Sequence, residues 1–188
     1  MKLTNHTNIQ LISYATVNKE EVKEIYLSWM NNIDIVQYFG SLTFLFPKDE
    51  TFIDESFKRF TNNNKCVGFF IYDTDTKSFI GTCKLDHISL INRSAEIGIM
   101  IGEQSAHGKG YSKTVFRLLM KYAFEAIGLH RIWVTLYANN PAPKRLVESI
   151  GLTYEGTLRK ATFRNGKYID NLRYAILREE YLDLYRKE

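Results

Sequence analysis

The sequence predicts an α/β fold, or α+β, built on a mixed sheet, and three observations point there. Hairpin signals stand at both ends of the chain, and a strand–helix–strand unit occupies its middle. Apolar residues make up 45% and charged residues 24% of the 188 residues, enough for a packed core. That length suits one domain, 1–188, and leaves little room for two.

Residues 9–16 read as the first strand. Residues 20–32 read as a helix, with Val22, Ile25, Tyr26 and Trp29 at helical spacing, and 49–60 as a second, broken by Asn62-Asn63-Asn64. Strands 67–72 and 79–85 flank the polar turn Asp73-Thr74-Asp75-Thr76-Lys77-Ser78. Residues 94–101 form another strand. Residues 109–127 form the clearest helix, with Val115, Leu118, Leu119, Tyr122, Ala123 and Ala126 on one face and Gly128 as its stop. Strand 131–137 and short helix 142–149 follow, and 153–163 pairs with 167–176 across Arg164-Asn165-Gly166. The count is about seven strands and about four helices. Pro47, Pro141 and Pro143 fall at turns or helix starts, and no linker, repeat or low-complexity tract appears.

Composition excludes several functions. Lys and Arg number 25 against 21 Asp and Glu, a net charge of +4 with no basic run, which argues against a nucleic-acid partner. No apolar run nears the roughly 18 residues of a membrane span, and the polar start from Met1 to Thr7 is no signal peptide. Cys66 and Cys83 are too few for a disulfide framework, so a reducing, cytoplasmic setting is expected. Both sit in apolar strand contexts and read as inert fillers rather than nucleophiles. His6, His87, His107 and His130 show no ligand spacing, so no metal is expected.

The informative stretch is Glu96-Ile-Gly-Ile-Met-Ile-Gly-Glu-Gln-Ser-Ala-His-Gly-Lys-Gly-Tyr-Ser112, a strand, a glycine turn and the start of a long helix. A first helical turn presents unpartnered N–H groups and partial positive charge, and glycines let the backbone close on an anion. That makes a phosphate cradle, although a tight turn with no ligand has the same spacing. It is neither a P-loop nor a dinucleotide fingerprint.

Ala-His-Gly-Lys-Gly-Tyr before an apolar helix resembles the pyrophosphate-binding motif of the GNAT superfamily of N-acetyltransferases. Gly128-Leu-His-Arg-Ile132 and the run from Asn140 to Gly156 resemble two further motifs of that superfamily, in the same order. The nearest branches are the ribosomal-protein N-terminal, polyamine and amino-sugar acetyltransferases. The resemblance implies a mostly antiparallel sheet splayed at its middle, with residues 1–93 on the acceptor side and 94–188 holding acetyl-CoA. Pantetheine would pair with the backbone of Ile99, Met100 and Ile101. The pyrophosphate would rest on the amides of His107, Gly108, Lys109, Gly110, Tyr111 and Ser112. Asn140, Lys144 and Arg145 would line the other side, with a helix cap as the plain alternative for Asn140 and a solvated face for the two cations. Ser105 and Pro143 depart from the family pattern, and Val147 stands where many members carry a tyrosine proton donor.

Acetyl transfer to an amine needs a base, since an alkylammonium must lose a proton. Glu96, on the central strand, is the first candidate, with a surface ion pair as its alternative; burial would raise its pKa toward the useful range. Asp86 and His87 come next, and the Met100 amide is the expected oxyanion donor. Tyr26, Trp29, Tyr38, Phe39, Phe44 and Phe46 are acceptor-side aromatics or core. The stretch Tyr26-Leu-Ser-Trp-Met-Asn-Asn32 with Val36 and Tyr38 resembles a segment of acetyltransferases acting on amino-sugar nucleotides. Glu20, Glu21, Glu24, Asp34, Asp49, Glu50, Asp54 and Glu55 offer an acidic pocket for a polyamine, or solvated helix faces. The expected function is acetyl transfer from acetyl-CoA to a small-molecule amine, an amino sugar or polyamine. A peptide N-terminus is the alternative acceptor, and a silent CoA-binding module the alternative class. Lookalikes are frequently homodimers.

Overall fold

Residues 2–4, 8–37, 39 and 46–185 are described by the computed structural model. Their strands join one sheet in the order β1-β2-β3-β4-β5-β6-β8-β7. These are β1 (Lys2–Thr4), β2 (Ile9–Ser13), β3 (Val67–Asp73), β4 (Ser78–Ser89), β5 (Ser94–Ile101), β6 (Arg131–Tyr137), β7 (Thr153–Arg164) and β8 (Lys167–Leu177). Every neighbouring pair is antiparallel except β5 and β6. The helices are α1 (Lys19–Met30), α2 (Ile33–Val36), α3 (Glu50–Thr61), α4 (Tyr111–Lys121), α5 (Pro141–Ser149) and α6 (Arg178–Tyr185).

Strand alternation sorts the core into two layers. Ile9, Leu11, Phe69, Ile71, Cys83, Leu85, Ala95, Ile97, Ile132, Val134 and Leu136 face one way, against Val115, Leu118 and Leu119 of α4, Val147 of α5 and Tyr181 of α6. Tyr14, Phe70, Phe79 and Met100 face the other way, under Val22, Tyr26 and Trp29 of α1, Val36 of α2 and Ile53 of α3. Among the described residues, the strand members of this second cluster come from β2 to β5.

Among the described residues there are eight strands and six α-helices, against about seven and four expected. β1 and α2 are one short strand and a single turn, too brief to show a period. α6 buries Tyr181 fully but little else, so it carries no clean apolar stripe. The first strand stops at Ser13, whose carbonyl accepts from the Thr16 and Val17 amides at 2.9 and 3.0 Å and turns the chain into α1. The long helix begins two residues later than expected, because Gly110 sits at φ 78°. Its last turn widens to a π-helix at Tyr122–Ala126, closed by the Ile127 amide on the Tyr122 carbonyl at 3.0 Å. Gly128, at φ 76°, ends it as the sequence predicts.

Candidate functional site

The parallel contact between β5 and β6 is brief. Ser94 pairs with Arg131, Ala95 with Ile132 and Glu96 with Trp133, and there it stops. Beyond that point β5 stays on β4 as far as Ile101, and β6 stays on β8 as far as Tyr137. The sheet therefore splits into a wedge whose walls are the ends of two strands. The Gly102 amide donates to the Ile80 carbonyl of β4 at 2.9 Å, and at the other end the Arg93 carbonyl accepts from His130 and Arg131 on the β6 side. Peptide groups alternate along a strand, so the Gly98 and Met100 amides point to β4. Those of Ile97, Ile99 and Ile101 point into the wedge.

This corrects the expected role of Met100. Its amide belongs to the β4 ladder, while its side chain is 7% exposed in the α1-side core. Ile99 and Ile101 keep their place on the wedge wall. The Ile101 carbonyl meets His107 Nε2 at 3.0 Å, which leaves its amide as the open group.

The turn after β5 runs through a 3₁₀ segment, Gln104–Ala106, and the His107 amide donates to the Gln104 carbonyl at 3.0 Å. His107 is thus committed through both its amide and its ring, and the anion cradle starts one residue later than the sequence suggested. Gly108 and Gly110 hold φ of 76° and 78°, a backbone that fits glycine and turns the intervening amides outward. The Lys113 amide closes on the Gly110 carbonyl at 3.0 Å. Among the described residues, the amides of Gly108, Lys109, Gly110, Tyr111 and Ser112 meet no acceptor, and no side chain caps α4. A Cβ on either glycine would meet nothing within 4 Å, so the cradle opens to free space. Five converging donors at the positive end of a helix are the donor set a pyrophosphate needs.

Tyr111 anchors the cradle to the sheet. Its hydroxyl donates to Asp73 Oδ2 at 2.8 Å, while the Asp75 amide and Asn8 Nδ2 donate to Oδ1 at 3.0 and 3.3 Å. Desolvation opposes ionisation of Asp73, but the Tyr111 and backbone hydrogen bonds outweigh it and hold the carboxyl below its ordinary value. A depressed acid stabilises the fold above its unfolded pKa and loses that contribution as pH falls through the folded one. Asp73→Asn is therefore expected to cost about 1–3 kcal/mol at pH 7. The cost should begin to shrink as pH falls below the ordinary carboxylate value of about 4 and be lost only through the lower folded value, where the wild-type carboxyl is protonated too. Urea titrations at pH 7 and pH 3 check this, and equal stabilities of the two proteins at pH 7 would contradict it.

Glu96 lies where the wedge begins, half-buried, with Oε2 at 3.1 Å from His87 Nδ1. His87 is exposed and held at φ 51°, and its ring sits 6.0 Å from that of Trp133. Asp86 is otherwise engaged: Arg59 Nη2 and Lys84 Nζ approach its Oδ2 at 2.6 and 2.7 Å, and the His87 amide binds Oδ1 at 3.0 Å. Desolvation works against these contacts, yet they keep its acid below the ordinary value, so it is a poor proton acceptor. Glu96 and His87 form the other ionisable pair beside the wedge.

Val147 is 1% exposed and points into the α4-side core. Tyr174, below α5, is pushed up to about 12 by burial and by its hydrogen bond to Glu148, and faces the same core. Asn140 is at the N-cap position of α5, but its side chain makes no capping bond, which leaves it available to a ligand. Lys144 and Arg145 are exposed, and Lys144 pairs with Glu148 at 3.9 Å on the helix surface. Cys66 and Cys83 are buried, and burial pushes the Cys83 thiol up, away from reactivity. Among the described residues no group of His, Cys, Asp or Glu could hold a metal ion, and no helix is long and apolar enough to cross a membrane.

On the acceptor side, Tyr26 and Trp29 are 5% and 3% exposed and serve as core. Trp29 abuts the end of β5 so closely that a Cβ on Gly102 would come within 2.3 Å of its ring. Phe39 is half-buried and Phe46 exposed, while Tyr38, Phe44 and His6 lie outside the described residues. Of the acidic residues, Asp54 pairs with Lys19, Glu20 and Glu50 each lie 3.2 Å from Lys23, and Asp49 caps α3. All eight are exposed on helix surfaces rather than gathered in a pocket. Four residues to which the sequence reading gave no site role stand on the β6–β8 side of this face, Tyr137 and Arg164 among them buried. Arg173 stacks on Trp133, and Arg164 donates to the Phe39 carbonyl and lies 3.4 Å from the Tyr137 hydroxyl. Trp133 and Tyr137 alternate with the apolar core residues of β6, which was the available signal.

A strand pair that opens into a wedge, followed by a glycine turn and a helix with bare N-terminal amides, is an arrangement for holding an extended thioester carrier edge-on. Comparison with known proteins agrees. The family described as acetyltransferase (GNAT) domain matches residues 14–153, and the chain belongs to that family. It is an acetyl-CoA-dependent N-acetyltransferase. A spermidine N(1)-acetyltransferase of Vibrio cholerae is 32% identical over 155 residues, covering 81% of this chain and 86% of that protein. The ribosomal-protein-serine acetyltransferase of Escherichia coli is 29% identical over 107 residues, 57% of this chain and 58% of the other. The crystal structure of spermidine N-acetyltransferase from Vibrio cholerae in complex with CoA and spermine superposes with a TM-score of 0.82 at 28% identity, covering 93% of this chain and 98% of that one.

Proposed function

We propose that this chain acetylates the primary amine of a small molecule, an amino sugar or a polyamine, and that it does so at the β5–β6 wedge. The observation that supports this most is the continuity of open donors: Ile99 and Ile101 along one wall, then Gly108 to Ser112 at the head of α4. Acetyl-CoA supplies the activated acetyl thioester. In this reading the Gly108–Ser112 amides hold its pyrophosphate, the Ile99 and Ile101 amides align its pantetheine arm, and Asn140 offers a side-chain contact from α5. One of the wall amides also faces the oxygen on which charge develops. Glu96 takes the ammonium proton, with His87 3.1 Å away to hold the carboxylate in place.

With Val147 inside the core, no tyrosine reaches the sulfur from α5. The relatives named for spermidine favour a polyamine, and the one named for a ribosomal protein keeps a peptide N-terminus in view. We further infer one working domain, with residues 1–93 chiefly on the acceptor side and 94–188 chiefly on the acetyl-CoA side.

Free thiol released from acetyl-CoA reports the reaction. Across spermidine, spermine, glucosamine, its phosphates and short peptides, at least one small amine is expected to release thiol well above the water background. CoA binding with no release from any amine would make the chain a silent CoA module instead.

A further inference from the structure

Several cations lie on or against this second face, and among the described residues most of those beside the wedge have partners. Arg59 and Lys84 share Asp86. Arg131 forks onto both carboxylate oxygens of Glu155. Arg164 is engaged with the Phe39 carbonyl and the Tyr137 hydroxyl. Arg173 differs. Its guanidinium lies 3.9 Å from the Trp133 ring centroid, and among the described residues its N–H groups meet no acceptor.

The nearest acid is already met. Hydrogen bonds from Arg131 are the main cause holding Glu155 below its ordinary value; desolvation works against them, and the Arg173 charge adds little. Stacking on the indole fixes the plane of the Arg173 fork while leaving its edge free, and that edge matches a carboxylate or phosphate in shape.

Position gives this fork its meaning. Trp133 is the residue of β6 paired with Glu96, at the apex of the wedge. Arg173 pairs with Thr135 one step further along, so Glu96, Trp133 and Arg173 share one face. The Trp133 ring also lies 6.0 Å from that of His87, which reaches Glu96. Along this face Trp133 of β6 stands between the Glu96 carboxylate on β5 and, on β8, the Arg173 guanidinium, which meets no acceptor among the described residues.

We infer that the acceptor is an amine that also carries an oxyanion, with its nitrogen at Glu96 and its oxyanion on the Arg173 fork over Trp133. The inference rests on the acetyl-transfer reading for the role of Glu96, and it narrows the acceptor. A polyamine presents only positive charge to Arg173, whereas an amino-sugar phosphate or an amino acid presents both signs in the required order.

The test is calorimetric binding to the full chain saturated with CoA, so that the pyrophosphate cradle is filled. Two matched pairs serve as probes: glucosamine 6-phosphate against glucosamine, and 4-aminobutanoate against butylamine. At least one anion-bearing member is expected to bind about ten- to a hundredfold more tightly than its twin without the anion. Which pair responds separates phosphate from carboxylate. Arg173→Gln should erase the difference while CoA affinity stays unchanged, which also shows the variant is folded, and Arg173→Lys should restore part of it. The inference is overturned if both members of each pair bind alike, if the preference survives Arg173→Gln, or if spermidine binds more tightly than either anion. Thiol release with spermidine but no anion preference would sink the inference and leave acetyl transfer standing. An Arg173-dependent preference with no thiol release from any amine would do the reverse.

Discussion

Replacing Glu96 by Gln is expected to lower kcat by about 10²- to 10⁴-fold, the range that a positioned base contributes. The substitution keeps the volume and much of the hydrogen bonding beside His87, so the loss should appear in kcat and in the rise of rate with pH, with CoA affinity unchanged. The sign follows from the chemistry: a base works only when deprotonated, so the wild-type rate climbs as pH rises and the variant loses that dependence. His87 lies 3.1 Å from the carboxylate, and His87→Ala should displace the same pH dependence without abolishing turnover. Rate–pH profiles of the three proteins decide the matter. An unchanged profile for Glu96→Gln would remove this residue from proton transfer.

The second large effect is expected at Gly110. Its φ of 78° begins α4 with the preceding amides facing outward. A valine there is strained by about 1–2 kcal/mol or forces the turn to a different path. Moving the turn misaims one or two charge-assisted hydrogen bonds, worth about 1.5–3 kcal/mol each, so CoA binding should weaken about ten- to a hundredfold or more. A Cβ at this position meets open space, so the loss cannot be a packing defect. The measurement is CoA affinity by titration beside a denaturation curve without CoA. A large fall in stability with unchanged affinity would contradict the assignment of these amides.

Much of this site was legible in the chain because it is local. The strand, glycine turn and helix around Glu96 to Ser112 are contiguous, and Gly108, Gly110 and Gly128, read as turn and stop residues, each take a positive φ. The Asn165-Gly166 turn likewise joins β7 to β8 as expected.

What failed depended on direction or on distant pairing. Met100 and Ile99 are neighbours in sequence, yet only register against β4 reveals which amide faces the wedge. The His107 amide belongs to a 3₁₀ turn with no sequence signature of its own. Arg173 reaches Trp133 because β8 crosses between β6 and β7, and no local pattern predicts that neighbour. For the acidic residues of α1 and α3 the sequence left a pocket and solvated helix faces equally open, because ion pairs between two helices, such as Lys23 with Glu50, cannot be read from one strip of sequence.

Amide hydrogen exchange, measured with and without CoA, tests the wedge and cradle most directly. Exchange at Gly108, Lys109, Gly110, Tyr111 and Ser112, and at Ile99 and Ile101, should slow by about tenfold or more on binding, while the Met100 amide, already bonded within the sheet, should change least. Protection that skipped the turn and appeared elsewhere, or CoA bound with these seven amides exchanging as before, would contradict the account.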